Sequence, residues 1–222
     1  MFDLKNGERI LVVAPHSDDE TLGCGGLLAL YGDKCDVLLL TDGRKGKSEQ
    51  RKELSDKEIT KIRKQELRKA LDIAGVKNLF CLDIPDSELK KNRKAVMKFD
   101  MKPYKYILVP NKYEEHPDHK AACKFFRVMR FWGKTKAKIY EYEVWTPLRT
   151  VDVLIDISER VTEKEKMINC FTSQLECKDY FKAGMGLSYY RGINCKSAAE
   201  AFYYSPASMM DKMKRAVSNL LR

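Results

Sequence analysis

Histidine is scarce in this chain, which has only three among its 222 residues. All three lie in two short acidic motifs, so none is left for the core or for an ordinary surface position. Residues 15–20 read Pro-His-Ser-Asp-Asp-Glu, and residues 116–119 read His-Pro-Asp-His. Imidazole is the commonest protein metal ligand, and carboxylates accompany it in hydrolytic zinc sites. The two motifs therefore predict one metal site closed by the fold; three unrelated surface histidines are the alternative.

Long apolar runs and paired cysteines are also missing. No uninterrupted apolar run reaches the length of a membrane span, and residues 1–5 lack the apolar stretch of a signal peptide. The seven cysteines are an odd number, and no two are spaced as Cys-x-x-Cys. These features argue against a disulfide framework and predict reduced thiols in a cytoplasmic protein without a transmembrane segment.

The formal charge of +10 raises the question of nucleic-acid binding. No nucleic-acid-binding motif accompanies the charge, and no basic run is interleaved with aromatic residues. We expect a solvated, lysine-rich surface and no nucleic-acid partner. An anionic substrate or a membrane headgroup is the minor alternative.

The hydrophobic pattern alternates between strand and helix. Apolar runs predict strands at 9–14, 35–40, 78–84, 106–110, 138–145 and 152–157. Helical spacing predicts helices at 27–31, 56–74, 87–99, 117–131, 158–174 and 197–201. Repeated strand–helix units imply an α/β, Rossmann-like fold with a mostly parallel sheet and helices on both faces. The length fits a single domain over residues 1–222.

Polar residues follow each of the first four predicted strands. His16, Asp42, Asp86 and His116 come after the first, second, third and fourth strand. Ligands of open parallel sheets bind beyond the carboxyl ends of the strands, so we expect these side chains to meet at one rim. The glycines at 23, 25 and 26 lack the full dinucleotide fingerprint, and close helix packing explains them better.

The motif chemistry is that of an open metal site. Asp18 and Asp19 are adjacent on an irregular loop, so their side chains must diverge. One of them can bind a metal while the other faces a water. His116 and His119 flank a proline that fits the first turn of a helix. Two histidines and one carboxylate leave positions open for water and substrate, which is typical of catalytic sites.

The two motifs resemble the signatures of the PIG-L/LmbE family of zinc-dependent N-acetylglucosaminyl deacetylases. Family members typically carry Pro where this chain has Ser17. Further similar segments are the Thr-Asp-Gly at 41–43, the Arg-x-x-Glu at 63–66, the Pro-Asp-Ser at 85–87 and the Ala-Glu-Ala-Phe at 199–202. The resemblance covers most of the chain.

The resemblance implies a lactate-dehydrogenase-like fold and hydrolysis of an acetamido group. It assigns the metal ligands to His16, Asp19 and His119. It assigns the general base to Asp18, and oxyanion stabilisation or protonation of the leaving amine to His116. It makes Asp118 the electrostatic partner of His116.

The resemblance also implies that Arg63 and Asp86 hold the sugar, although an ordinary helix-surface arginine and a turn-forming aspartate are the alternatives. Some relatives carry a tyrosine two residues before the first histidine of the second motif, where this chain has Glu114. The expected cofactor is Zn²⁺, with Fe²⁺ as the alternative, because the ligand set suits both.

The leading prediction is thus a metal-dependent hydrolase that deacetylates a small-molecule N-acetylglucosamine conjugate. A catalytically inactive carbohydrate-binding or interaction module on the same fold is the alternative from another class. A nucleotide-binding oxidoreductase is disfavoured by the placement of the histidines. The aglycone cannot be read from the residues, and a homo-oligomer is possible.

Overall fold

The computed structural model describes residue 2 and residues 4–206. Its centre is a seven-stranded sheet. In chain order the strands are β1 (Arg9–Ala14), β2 (Cys35–Thr41), β3 (Asn78–Ile84), β4 (Tyr104–Pro110), β5 (Lys138–Tyr142), β6 (Val153–Asp156) and β7 (Ala199–Ser205). The spatial order is β3-β2-β1-β4-β5-β7-β6. Strands β1 to β5 run parallel, and β7 pairs antiparallel with both β5 and β6.

Helices cover both faces of this sheet. They are α1 (Asp19–Tyr31), α2 (Asp56–Ile73), α3 (Arg93–Met97), α4 (Pro117–Phe131), α5 (Val161–Asn169), α6 (Thr172–Leu175) and α7 (Tyr180–Arg191). The apolar side chains of strand β1 are therefore buried on both faces of the sheet. Ile10 and Val12 pack into the core under α1 and α2, whereas Leu11 and Val13 pack into the core under α3 and α4. Both faces are buried, which explains why β1 reads as an uninterrupted apolar run. The predicted mostly parallel α/β fold is confirmed.

Helix α1 begins eight residues earlier than the predicted start at residue 27, because its first turn consists of the acidic motif itself. Its glycines serve close packing, as expected from the sequence. A Cβ on Gly23 would lie 2.2 Å from the Tyr142 ring, and one on Gly26 would lie 2.5 Å from Ile157. Side chains at these positions would push α1 away from the sheet.

Several elements differ from the prediction. The single helix predicted at 158–174 is two shorter helices, α5 and α6, and the helix predicted at 87–99 is reduced to α3. Strand β5 ends at Tyr142, so Trp145 lies in the following loop. The predicted helix at 197–201 is wrong, because this segment enters strand β7, where Phe202 pairs with both Tyr142 and Val153. Helix α7 was not predicted. Among the described residues, no helix has the length and the apolar character needed to cross a membrane.

Candidate metal centre and active site

The two histidine motifs meet where the strand order reverses. The first motif follows β1 and the second follows β4, and these two strands are neighbours in the sheet. From β1 the chain proceeds to β2 and β3 on one side, then returns to β4 and β5 on the other. A crevice at the carboxyl ends of the strands forms at such a switch point and is the usual ligand site of open α/β sheets. The expected convergence at one rim is therefore present.

His16, Asp19 and His119 bring three ligand atoms together. His16 Nδ1 lies 3.3 Å from Asp19 Oδ2 and 3.3 Å from His119 Nε2, and His119 Nε2 lies 3.1 Å from Asp19 Oδ2. Ligands at about 2.0–2.1 Å from a tetrahedral zinc ion are separated by roughly 3.3 Å. All three residues are buried. The triangle therefore fits a small divalent cation with one side open.

His116 is a further candidate ligand, because the three histidine rings offer nitrogens within 4.8 Å of one another. However, its Nδ1 accepts a hydrogen bond from the Asp118 backbone N–H at 3.2 Å, which caps α4. The set with Asp19 is also more compact. We therefore favour His16, Asp19 and His119 as the ligands, with His116 beside them.

Three carboxylates face the outer nitrogens of the ligand histidines. His16 Nε2 lies 3.5 Å from both Asp86 Oδ1 and Asp118 Oδ2, and His119 Nδ1 lies 3.5 Å from Glu114 Oε2. Neither buried nitrogen makes a hydrogen bond within the described part of the chain. Carboxylates in this position orient metal-bound histidines and increase their basicity.

The carboxylates also determine the charge of the two rings. Burial lowers the pKa of His16, but Asp118, Asp19 and Asp86 outweigh it and raise the pKa well above its ordinary value. Burial likewise lowers the pKa of His119, but Asp19 and Glu114 raise it to about 9. The carboxylates thus favour positive charge at the two rings, which a bound cation would supply in place of the protons.

Asp18 and Asp19 occupy opposite electrostatic situations, although they are neighbours. Burial raises the pKa of Asp18 to about 7, against the opposing charge of Arg63. Burial would raise the pKa of Asp19 as well, but His119 and His16 hold it far below its ordinary range. Asp18 also has a φ of 141°, which side-chain-bearing residues rarely adopt. The predicted divergence of the two side chains is consistent with this backbone.

Arg63 is buried, so it is not an exposed helix residue. Its guanidinium donates to Ser17 Oγ at 3.1 Å, to the Ser17 carbonyl at 3.1 Å and to the Gly43 carbonyl at 3.0 Å. Its Nη2 also lies 3.6 Å from Asp18 Oδ1. Arg63 therefore ties the loops after β1 and β2 together beneath the acidic motif. A role in holding sugar stays a prediction.

Asp86 and Asp118 both lie against His16. The Asp86 carboxylate also accepts hydrogen bonds from Ser87 Oγ at 3.1 Å and the Lys45 N–H at 3.3 Å. The Asp118 carboxylate accepts the N–H groups of Ser87 at 2.7 Å and Leu89 at 3.3 Å. No hydrogen bond joins the Asp118 and His116 side chains in the described structure, and their electrostatic partnership stays a prediction.

His116 is half-buried and lies edge-on to the His16 ring at 4.5 Å between centroids. Burial and the neighbouring His16 and His119 lower its pKa, whereas Asp118 opposes this shift. Because Nδ1 accepts a backbone hydrogen bond, the neutral ring carries its hydrogen on Nε2, which can donate a hydrogen bond to a ligand.

The pocket over these groups has a volume of about 240 Å³. This is below the range of about 300–1,000 Å³ typical for whole drug-sized ligands, so the pocket takes one small group. Its lining adds residues that the sequence did not indicate, which are Lys45, Gly46, Ser87, Trp145, Gln174 and Tyr180.

Trp145 and Glu114 are the most informative of the residues that sequence reasoning missed. The Trp145 ring lies 5.7 Å from His116 and 5.4 Å from His119 between centroids, yet is 46% exposed. Glu114 accepts the N–H groups of Val144, Trp145 and Thr146 while it faces His119. The strand-end rule, applied to β5, was the available signal for Trp145; the prediction placed it inside the strand.

Comparison with known proteins agrees with this geometry. The model of the family described as PIG-L, GlcNAc-PI de-N-acetylase, matches residues 11–129, which is more than half of the chain. A diacetylchitobiose deacetylase of Thermococcus kodakarensis is 35% identical over 125 residues, which are 52% of this chain and 46% of that protein. The aligned region thus spans less than half the length of that relative.

A probable N-acetyl-alpha-D-glucosaminyl L-malate deacetylase 2 of Bacillus cereus is 30% identical over 189 residues, which are 75% of this chain and 84% of that protein. The N,N'-diacetylchitobiose deacetylase structure from Pyrococcus horikoshii, complexed with its inhibitor MPG, shares the fold with a TM-score of 0.77. It covers 93% of this chain and 88% of its own, at 23% identity. With both motifs inside the matched region, the chain belongs to the PIG-L family.

Proposed function

We propose that this protein is a metal-dependent hydrolase that removes the acetyl group from an N-acetylglucosamine conjugate and releases acetate and a free amine. The observation that carries the proposal is the triangle of His16, Asp19 and His119, with its 3.1–3.3 Å edges beside the buried Asp18. The names of the Thermococcus and Bacillus relatives support the class of reaction and of sugar.

We propose Zn²⁺ as the metal, with Fe²⁺ as the alternative, because two histidines and one carboxylate suit both. When bound, the ion supplies a Lewis acid that polarises the amide carbonyl and makes water a stronger nucleophile near neutral pH. His16, Asp19 and His119 would hold the ion, and Asp86, Asp118 and Glu114 would orient the two rings.

Residues of the protein itself carry out the proton transfers and hold the reacting groups. Asp18 takes a proton from the attacking water, since it is a buried carboxylate next to the ligand triangle. Water adds to the acetyl carbon while His116 Nε2–H donates a hydrogen bond to the oxyanion, and the C–N bond then breaks as Asp18 returns the proton that it took from water to the leaving nitrogen. Arg63 keeps the Asp18 loop in place. Hydrolysis thus consumes one water and gives one acetate and one amine.

The small pocket supports a binding mode in which only one part of the substrate enters it. About 240 Å³ suits the acetylated sugar end, and the exposed face of Trp145 offers an apolar wall for a sugar ring. Arg63 and Asp86 remain our proposed sugar-holding residues, with Asp86 the more available of the two. The aglycone then lies outside the pocket.

The experiment is a screen of N-acetylglucosamine conjugates, including N,N'-diacetylchitobiose and N-acetylglucosaminyl malate, for free amine and acetate. We expect equimolar release from at least one conjugate by the zinc-loaded protein, and none after chelation. The alternative, an inactive carbohydrate-binding or interaction module, predicts sugar binding without release. A cytoplasmic location, a homo-oligomer and the absence of a nucleic-acid partner remain predictions.

A further inference from the structure

A second and larger cavity, of about 1060 Å³, lies between α3 and α4 and does not include the metal centre. Its floor is apolar and includes Met97, Phe125 and Met129. Its rim is basic. Six cationic side chains line it without a carboxylate partner among the described ion pairs, namely Lys90, Arg93, Lys94, Lys120, Lys124 and Lys134.

The remaining basic residue of the lining is Lys91, which lies 3.7 Å from Glu88. None of the lining residues is acidic. Seven cations around an apolar floor, with no carboxylate in the lining, create a surface complementary to an anionic amphiphile. We call this surface the lysine groove.

Large exposed apolar side chains line the lysine groove or lie next to it in the sequence. Trp132 is 73% exposed, the adjacent Phe131 is 68% exposed, and Met97 is 48% exposed. Contiguous exposed apolar groups of this kind mark interaction sites in folded proteins. Aromatic residues combined with lysines are the composition of surfaces that lie in the headgroup region of a bilayer.

The balance of lysine and arginine separates two possible partners. Protein–protein interfaces are enriched in arginine and depleted in lysine. The lysine groove has the opposite composition, with six lysines and one arginine. Each basic residue close to an anionic bilayer strengthens binding by about fivefold without a defined geometry. A bilayer therefore fits this rim better than an acidic peptide does.

A segment of the same chain is also a poor occupant. Residues 207–222, which lie outside the described part, contain four basic residues and one acidic residue. Their net positive charge would oppose the charge of the rim. The proton chemistry of the metal centre does not enter this argument, since the groove is lined by other residues.

We propose that the lysine groove docks this protein on the surface of an anionic lipid bilayer. The lysines of α4 and of residues 90–94 lie against the headgroups, and Trp132 and Phe131 enter the interfacial layer. Pro117 lines the groove and directly follows His116, which lines the metal pocket. The lysine groove and the metal pocket are thus lined by consecutive residues at the start of α4.

The test is sedimentation of the full chain with vesicles of phosphatidylcholine alone or with phosphatidylglycerol, at physiological salt. We expect binding only to the anionic vesicles. Lys120→Glu with Lys124→Glu should weaken it at least about tenfold, and Trp132→Ala should weaken it further. The matched control is Lys57→Glu with Lys61→Glu, which reverses the same charge on exposed positions of α2, across the sheet.

Three outcomes would overturn the proposal. The first is no sedimentation with the anionic vesicles. The second is an equal loss in the control pair, which would make the binding a property of net charge alone. The third is tight binding of an acidic amphipathic peptide at Lys120 and Lys124 without vesicle binding, which would make the groove a protein interface. Because all substituted side chains are exposed, circular dichroism and thermal melting should confirm that every variant folds.

Discussion

Asp18 combines an unfavourable backbone with an unfavourable environment. Its φ of 141° costs about 1–3 kcal/mol in a residue with a side chain. Its carbonyl nevertheless accepts the N–H groups of Thr21 and Leu22, so the start of α1 holds the conformation. Burial meanwhile raises the pKa of the carboxyl to about 7. A strained backbone and a desolvated carboxyl in the same residue are typical of a reacting group.

At this position we predict that Asp18→Asn retains the metal but loses at least about a hundredfold in kcat, the usual scale for a general base. The amide keeps the shape of the side chain but cannot take the proton. Metal content by elemental analysis and turnover on an active conjugate are the measurements. Asp19→Asn is the matched control and should lose the metal. Metal loss in Asp18→Asn together with retention in Asp19→Asn would reverse the two roles.

At the level of single residues, the position of both motifs directly after strands predicted that the histidines would meet, because those strands become neighbours. The choice of His16, Asp19 and His119 as ligands came from the family resemblance and stays a prediction. Glu114 could not be found in this way, and Trp145 was missed because the predicted β5 ran three residues too far. Their approach to the histidines depends on how the loop after β4 folds against the end of β5, where the Asn111 N–H bonds to the Tyr142 carbonyl. That contact depends on tertiary structure, which residue type does not reveal.

Among the elements, the segment around residue 200 shows where local pattern fails. Ala199, Glu200 and Ala201 have good helix propensity, yet they form part of β7. Pairing with β5 and β6, together with burial of all three residues, outweighs that preference. Helix α7 was missed for the opposite reason. Gly184 and Gly186 lower its intrinsic helix propensity, yet the helix forms.

A second element, the loop between β2 and α2, is fastened across the pocket by Glu176. Ser48 Oγ donates to its carboxylate at 2.7 Å, and Arg51 forms two hydrogen bonds of 2.8 Å with it. The Gln174 amide donates to the Gly46 carbonyl at 2.9 Å between the same two segments, and we call this set of contacts the seam. These contacts join two walls of the metal pocket.

We predict that Glu176→Gln lowers the melting temperature by up to about 4 °C at pH 7, the scale of a partly exposed ion pair in a protein of this size. Arg51, and then Ser48, lower the pKa of Glu176 from 4.5 to about 2. A lowered folded-state pKa means that the contribution is complete above about pH 4.5 and is lost as the pH falls toward 2. The difference from wild type should therefore narrow between pH 5 and pH 3.

Melting curves of both proteins at pH 7, 5 and 3.5 are the measurement. Glu49→Gln is the control, since Glu49 is exposed and its nearest cation, Lys52, lies 3.8 Å away. A difference that stays constant with pH would show that the carboxylate charge of Glu176 does not stabilise the seam.

For the whole molecule, the alternation of strands and helices was enough to predict the α/β fold. Parallel crossovers, which are right-handed in nearly all proteins, determine on which face each connecting helix lies, but they do not determine the strand order, which the sequence did not predict. The placement of β6 and β7 could not be read in this way, because the chain passes through α5, α6 and α7 before β7 inserts between β5 and β6. A single domain over residues 1–222 remains a prediction, and residues 207–222 lie outside the described part.

The metal site should also contribute to global stability, because its ligands come from the ends of two different strands. A ligand present at a hundred times its dissociation constant stabilises the folded state by about 2.7 kcal/mol. We therefore predict that zinc raises the melting temperature of the chelated protein by about 5–10 °C. His119→Ala should show little of this shift, and Lys120→Ala should keep all of it. An unchanged response in His119→Ala would show that zinc binds elsewhere.

The buried pair of Lys164 and Glu200 has a consequence for the order in which the chain assembles. Glu200 accepts the N–H groups of Gly26 and Leu27 in α1 at 2.7 and 2.8 Å, and Lys164 donates to the Leu22 carbonyl at 2.9 Å. The helix that begins with Asp19 is thus secured by a residue made 181 positions later. During translation, the first motif leaves the exit tunnel of the ribosome long before Glu200, which holds α1, has been synthesised. We therefore expect the first motif to reach its final position only after β7 has inserted, so that a metal would be bound late in biosynthesis.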